Sequence, residues 1–259
     1  AAAEMPGQTF NPLVLYSGVG LGKTHLLHAI GHEIQAQGMH CIYTTCEEFT
    51  NQYVKAIQDG KTTLFRDTYR SADVLLVDDI QFLIGKEQTQ EGFFHTFNAL
   101  HMANKQIVIT SDRPVKALKV LESRMTSRLS GGLVADIQPP PLETRLAILQ
   151  SKAQRIRCKI PREIVEFLAQ RIQSNVRELE GNLNRVAAWS QFRNGEITLQ
   201  SVKDLISEST ETAYGNRITD KAVVTAVSEH FKISADQILG KSRRKMTVLS
   251  RQVAMYLLR

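Results

Sequence analysis

A chain of 259 residues with 42% hydrophobic content can bury one large core and smaller helical units beside it without covalent staples. Its three cysteines, Cys41, Cys46 and Cys158, lack C-x-x-C or Cys/His ligand spacing, no apolar run nears the roughly 18 residues of a membrane span, and AAAEMPGQTF lacks signal-peptide regions; a metal or disulfide scaffold and a spanning helix are argued against, and a cytoplasmic location is expected. The formal charge of +6 lies wholly from Asn216 onward, where nine Lys/Arg face three acids, so a neutral body carries a basic end: a nucleic-acid footprint or a merely solvated tail.

Short apolar runs alternating with amphipathic stretches predict a parallel sheet covered by helices over the first 138 residues. The strands are expected at Leu13–Tyr16, Cys41–Thr44, Val74–Val77, Gln106–Thr110 and Leu133–Ile137, each rich in Val, Ile or Leu as doubly buried strands are. Helices are expected near Lys23–Ala36, Glu47–Gln58, Thr89–Ala103 and Leu121–Leu129. Pro139, Pro140 and Pro141 block helix and sheet pairing alike and mark a boundary. A helical lid over 139–210 is predicted from Leu142–Arg157, Pro161–Ile172, Asn175–Phe192 and Thr198–Ser207, with Pro161 in a first turn and Thr198 as a cap. The polar stretch Ser207–Asn216 is the next boundary, and 211–259 should hold helices at Thr219–Phe231 and Ser250–Leu258.

The run from Leu13 through Gly18, Val19, Gly20, Leu21, Gly22, Lys23, Thr24 and His25 joins an apolar strand to a helix by a glycine-rich turn. Such a turn lets backbone N–H groups converge on a phosphate chain beside a helix N-terminus. Lys23 is then placed for the β- and γ-phosphates of ATP, or the β-phosphate of ADP, and Thr24 for Mg²⁺. The strict G-x-x-x-x-G-K-[ST] pattern fails at its first glycine, which is Ser17; the residue is expected to end the strand outside the phosphate cradle. A plain strand-to-helix turn is the alternative. The second half-site is Asp78 and Asp79, delivered by a buried strand at its C-terminal end, where open α/β sheets bind ligands. Asp78 is the candidate for ordering Mg²⁺ and Asp79 for polarising water. His25, His28 and His32 have helical spacing without H-E-x-x-H, which leaves no metal reading.

Longer strings go further: Asp78-Asp79-Ile-Gln-Phe-Leu, Phe93-Phe-His-Thr-Phe-Asn-Ala-Leu, Thr110-Ser-Asp-Arg-Pro, Leu142-Glu-Thr-Arg-Leu-Ala-Ile-Leu and Ser174-Asn-Val-Arg-Glu-Leu-Glu-Gly. With them the chain resembles the DnaA family of bacterial chromosomal replication initiators, from the AAA+ ATPase domain into the DNA-binding domain. The resemblance implies a slow ATPase whose hydrolysis resets an assembly. It implies Asp112 as sensor 1, Arg177 as sensor 2 acting on nucleotide in its own subunit, Arg128 as an arginine finger reaching a neighbour's ATP, and Arg124 as a further assembly arginine. The stretch from Glu47 to Ser71 matches a helical insertion tied to filament formation and single-stranded DNA, with Val54 and Lys86 at contact positions. Gln88 stands where a second basic contact is expected, which should weaken that contact.

Lys241, Ser242, Arg243, Arg244 and Lys245 are expected as a loop, with Arg251 and Gln252 opening the following helix. The resemblance implies that this loop, through Arg243, enters the minor groove of duplex origin DNA, and that Arg251 and Gln252 belong to a helix-turn-helix in the major groove; the residue types suit both. The sequence given ends at Arg259, before the recognition helix and the family's Asp-His-Thr-Thr string, so this stretch alone is expected to bind duplex boxes poorly. The same resemblance implies a head-to-tail filament, contact with the replicative helicase through residues preceding Ala1, and an anionic phospholipid. Leu129, where the family often has Phe, and Gly92, where it often has Glu, are departures without a sequence-level account. A helicase-loader ATPase is the alternative, disfavoured by the basic region from Lys241 to Gln252. A regulator that never hydrolyses ATP is disfavoured by Asp78, Asp79 and Arg128.

Overall fold

The computed structural model describes residues 2–118, 123–156, 160–193, 197–214, 220–240, 242 and 244–257. Its contacts divide the chain into two units, Ala1–Asn194 and Gly195–Arg259.

The first unit is built on five parallel strands, β1 (Leu13–Tyr16), β2 (Cys41–Thr45), β3 (Val74–Asp78), β4 (Gln106–Ser111) and β5 (Leu133–Asp136), in the order β2-β3-β4-β1-β5. β3 and β4 are buried along their whole length, as the unbroken apolar runs require. Their core-facing neighbours are α1 (Lys23–Ala36), α2 (Cys46–Gln58), α3 (Thr62–Arg70), α4 (Glu87–Met102) and α5 (Ser123–Ser130). Phe49, Phe65, Tyr69, Phe93 and Phe97 fill the layer on one sheet face, while Leu27 and Ile34 of α1 pack with Leu15, Val74, Leu76 and Val108 on the other. Gly31 lets α1 approach the sheet, since a Cβ there would stand 2.9 Å from Leu76 Cδ1. Thr45 caps α2 by accepting from the Glu48 N–H at 3.0 Å.

Three helices complete this unit: α6 (Leu142–Arg155), α7 (Arg162–Arg171) and α8 (Val176–Arg193), with Leu149, Leu168, Leu179 and Leu183 fully buried. Pro161 sits one residue outside α7, as its N-cap. Two short 3₁₀ turns (Ile80–Leu83 and Val115–Ala117), and α3 as an element separate from α2, go beyond the elements expected from periodicity.

The second unit contains α9 (Leu199–Tyr214), α10 (Asp220–Phe231), α11 (Ala235–Leu239) and α12 (Lys245–Leu257). Thr198 caps α9, its hydroxyl accepting from the Ser201 N–H at 3.3 Å. The helix passes through the stretch expected to be a linker, because 207–214 contains neither Gly nor Pro and polarity alone does not stop a helix. α12 likewise starts five residues earlier than expected: its buried positions include Thr247, Ser250 and Ala254, at helical spacing but too small or polar to register as an apolar stripe. Val223, Val227, Ile238 and Ala254 form the core of α10, α11 and α12.

Candidate functional site

β1 ends at Tyr16, and residues 17–22 turn the chain into α1. Gly20 and Gly22 hold φ of 76° and 96°, a region L side chains rarely adopt. Gly22 directly precedes α1, so the helix presents its first N–H groups to the loop, a preformed anion site. Lys23 is 8% exposed. Its ammonium donates to the Ser17 and Gly18 carbonyls at 3.2 and 3.1 Å and to the Ser17 hydroxyl at 3.3 Å. Ser17 directly follows the last residue of the strand, and its oxygens anchor the lysine, a role the failed glycine position conceals.

β4 lies between β1 and β3, and it braces both acids. The Thr110 hydroxyl donates to Asp78 Oδ1 and accepts from the Asp79 N–H at 2.8 Å. The other Asp78 oxygen accepts from the Thr24 hydroxyl at 2.8 Å and from the Tyr43 hydroxyl at 3.4 Å. Burial, then the charge of Asp78, push the Tyr43 phenol up to about 12, and its ring packs on His28 with centroids 4.4 Å apart. Asp79 adopts φ 60° and ψ 62°, left-handed backbone that Asp tolerates better than most residues. Gln81 donates to Asp79 Oδ1 at 2.9 Å and accepts from the Asp112 N–H at 3.2 Å. The Asp112 carboxylate takes both Nε and Nη2 of Arg113 at 2.7 Å. That pairing, aided by Lys23, holds it below the usual carboxylate range.

The lid helix α8 meets the loop directly. The N–H groups of Val176 and Arg177 donate to the Gly20 carbonyl at 2.9 and 3.2 Å. Asn175 accepts from the Glu178 N–H at 2.7 Å and so caps α8. A Cβ on Gly20 would stand 2.8 Å from Asn175 Oδ1 and 3.1 Å from Arg177 Cβ. Arg177 is thereby fixed at the mouth of the glycine turn, with an exposed side chain.

Arg128 and Arg124 lie apart from that constellation. Both line a cavity of about 470 Å³ with Phe94, Ser127, His101 and Gly131, and no glycine-turn residue takes part in it. The Arg124 guanidinium stacks on Phe94, 4.5 Å from the ring centroid. Leu129 is fully buried in the sheet core.

Val54 is 42% exposed on α2, and Lys86 immediately precedes α4. Arg244 precedes α12 and Lys245 is its first residue; Lys241 and Arg243 lie outside the described residues. Arg251 and Gln252 fall in the middle of α12 instead of at its start. The Arg251 guanidinium donates to the carbonyls of Ile238 (2.7 Å), Gln237 (3.4 Å), Ser242 (3.3 Å) and Gly240, closing the C-terminal end of α11. Cys41 and Cys46 are free thiols, and Cys158 lies outside the described residues. Among the described residues no group of three His, Cys, Asp or Glu side chains could hold a metal by itself.

A five-stranded parallel sheet with a glycine turn after β1, paired acids after β3 and a helical lid on the turn defines a P-loop nucleotide-binding protein of the AAA+ class. The chain belongs to the DnaA family of bacterial chromosomal replication initiators. The model described as the bacterial DnaA ATPase domain matches residues 1–136, and that described as the bacterial DnaA helix-turn-helix matches residues 221–259. The chromosomal replication initiator protein DnaA of Chloroflexus aurantiacus is 50% identical over 261 residues, covering 100% of this chain and 54% of its own length. The chain therefore spans about half of that relative. Domain III of the Thermotoga maritima DnaA is 40% identical, with a TM-score of 0.76 over 80% of this chain and 87% of its own. A replication initiator DnaA bound to AMPPCP and single-stranded DNA is 33% identical, with a TM-score of 0.70 over 100% of this chain and 75% of its own.

Proposed function

We propose that this chain is the nucleotide-switched part of an initiator of chromosome replication: it binds and slowly hydrolyses ATP, assembles through it, and holds and melts origin DNA in the cytoplasm. The observation that carries the reading is the convergence of Lys23, the Thr24–Asp78 pair and the Gly20-docked lid helix on one glycine turn. A hydroxyl and a carboxylate oxygen 2.8 Å apart are a hard-oxygen donor set that fits Mg²⁺. Bound there with the phosphates, Mg²⁺ would neutralise charge that develops on them. Lys23 moves from the Ser17 and Gly18 oxygens to the β- and γ-phosphates, Asp79 orients the attacking water, and Asp112 and Arg177 frame the γ-phosphate within the subunit.

Arg128 reaches a neighbouring protomer's ATP and Arg124 is a further assembly arginine, so that the interface exists only while the γ-phosphate does. Repeated head to tail, this contact makes a filament. The proposed organisation is a nucleotide domain over 1–138, a lid from 139 and a DNA-binding segment towards 259; the lid's expected end at 210 falls inside α9, and the contact units divide earlier, between Asn194 and Gly195. Val54 and Lys86 contact single-stranded DNA, and the segment around Lys241, Arg243, Arg244, Lys245, Arg251 and Gln252 engages the duplex. The relative seen with AMPPCP and single-stranded DNA supports the nucleotide and the strand as ligands. A helicase contact outside these residues and an anionic phospholipid rest on the family alone.

The test separates binding from assembly. In the intact protein, Arg128→Ala should bind ATP within about twofold of wild type by calorimetry, yet stay small with ATP and Mg²⁺ on origin DNA in sedimentation, where the intact parent should assemble. Normal assembly of that variant would remove the finger assignment.

A further inference from the structure

Gln81 follows the acid pair by two residues, in an otherwise apolar 3₁₀ turn of Ile80, Phe82 and Leu83. Its amide touches both the Asp79 carboxylate, at 2.9 Å, and the backbone of Asp112, at 3.2 Å. The orientation of that amide is forced: a carboxylate only accepts and a backbone N–H only donates, so the NH₂ must face Asp79 and the carbonyl must face Asp112. Asp79 needs such a partner. Its backbone is held in the left-handed region, and its N–H is tied to Thr110, but its side chain has rotamer freedom unless one oxygen is fixed. Gln81 fixes Oδ1 by donating to it. Through its other end it ties that choice to the strand end that carries Asp112.

We propose that Gln81 is a positioning residue for hydrolysis, holding the Asp79 carboxylate in register with the end of β4. It touches neither nucleotide nor metal in this role and acts only through Asp79. The inference rests on the ATPase reading above, and its test is arranged to separate the two. Gln81→Leu, similar in volume but unable to donate, should lower kcat for ATP hydrolysis about tenfold while KM for ATP stays within about twofold. Gln81→Glu fills the same space, cannot donate when ionised and sets a second negative charge beside Asp79, so it should lose at least as much. A residue that only filled space would tolerate it.

In an Asp79→Ala background, Gln81→Leu should cost nothing further, because its target is gone. An additive loss there, a parallel rise in KM, or an unchanged kcat in the single variant overturns the proposal. A second arm needs no nucleotide. The side-chain amide resonances of Gln81 in the free wild-type chain should shift on Asp79→Ala and on Thr110→Val less or not at all; a Gln81 amide indifferent to Asp79 overturns the pairing whether or not the chain hydrolyses ATP. Failure of the wild type to bind ATP would instead remove the ATPase reading.

Discussion

Gly20 concentrates three demands on one residue. Its φ of 76° disfavours any side chain, its carbonyl takes the first N–H groups of α8, and a Cβ would press on Asn175 at 2.8 Å. Gly20→Ala should therefore cost about 1–2 kcal/mol in backbone strain and also displace the lid, weakening ATP binding by tenfold or more in a fluorescent-analogue titration. If Gly20→Ala bound ATP as the parent does, the lid contact would have no part in affinity. At this scale the sequence was legible where chemistry is carried by residue type and spacing: Thr24 and Asp78, 54 positions apart, are hydrogen-bonded at the end of the glycine turn. It was silent on Thr110 and Tyr43, and on Ser17 as an anchor of Lys23. Their roles come from strands β4 and β2 lying beside β3, and from a hydroxyl turned towards Lys23, which no local pattern encodes.

Between elements, α2 and α4 are matched by size. A Cβ on Gly92 would stand 2.4 Å from Tyr53 Cζ and 2.6 Å from Cε2, so the glycine in α4 makes room for the ring of α2. This accounts for a departure that had no explanation in sequence, since the pair is 39 positions apart. Gly92→Ala gains up to about 1 kcal/mol of helix propensity but overpacks the site by about 1–3 kcal/mol. Net destabilisation is expected in urea melts, and Tyr53→Leu in the same chain should restore it. A stabilised single variant would show that the ring moves freely.

The starts of β3 and β4 are joined in another way. Asp73 receives Lys105 and the His40 N–H, at 3.0 Å for the latter, and Lys105 foremost lowers its pKa. A carboxyl whose folded pKa lies below its unfolded value adds stability above the usual Asp range, about 3.9, and loses it as pH falls through the folded value. Both side chains are one-third exposed, so the pair is worth less than about 1 kcal/mol. Lys105→Met should flatten the acid limb of stability against pH while changing neutral stability little. Strands and long helices were legible to within two residues because apolar runs and glycine turns are local signals. The helix through 207–214 and the early start of α12 were not, because each is made of residues that a periodicity of large apolar side chains passes over.

For the molecule as a whole, charge is partitioned: the balance up to residue 215 is zero, and the excess of six lies beyond it. Binding that arises from that end should fall with salt, because each phosphate contact releases a counterion. Not every cation there is equivalent. Arg244 and Lys245 are exposed, whereas Arg251 spends its guanidinium on carbonyls around the end of α11. Arg244→Ala and Lys245→Ala should each weaken DNA binding across sequences and reduce the slope of log K against log salt by up to about 1. ATP affinity and thermal unfolding should stay unchanged. Arg251→Ala should do the reverse first, loosening the α10–α12 core in a far-ultraviolet melt before any effect on the salt slope is read. Arg251→Lys should not rescue it, since an ammonium cannot span several carbonyls as a planar fork does. An unchanged melt with a slope reduced like that of Arg244→Ala would assign Arg251 to the phosphates and leave α11 closed by other means.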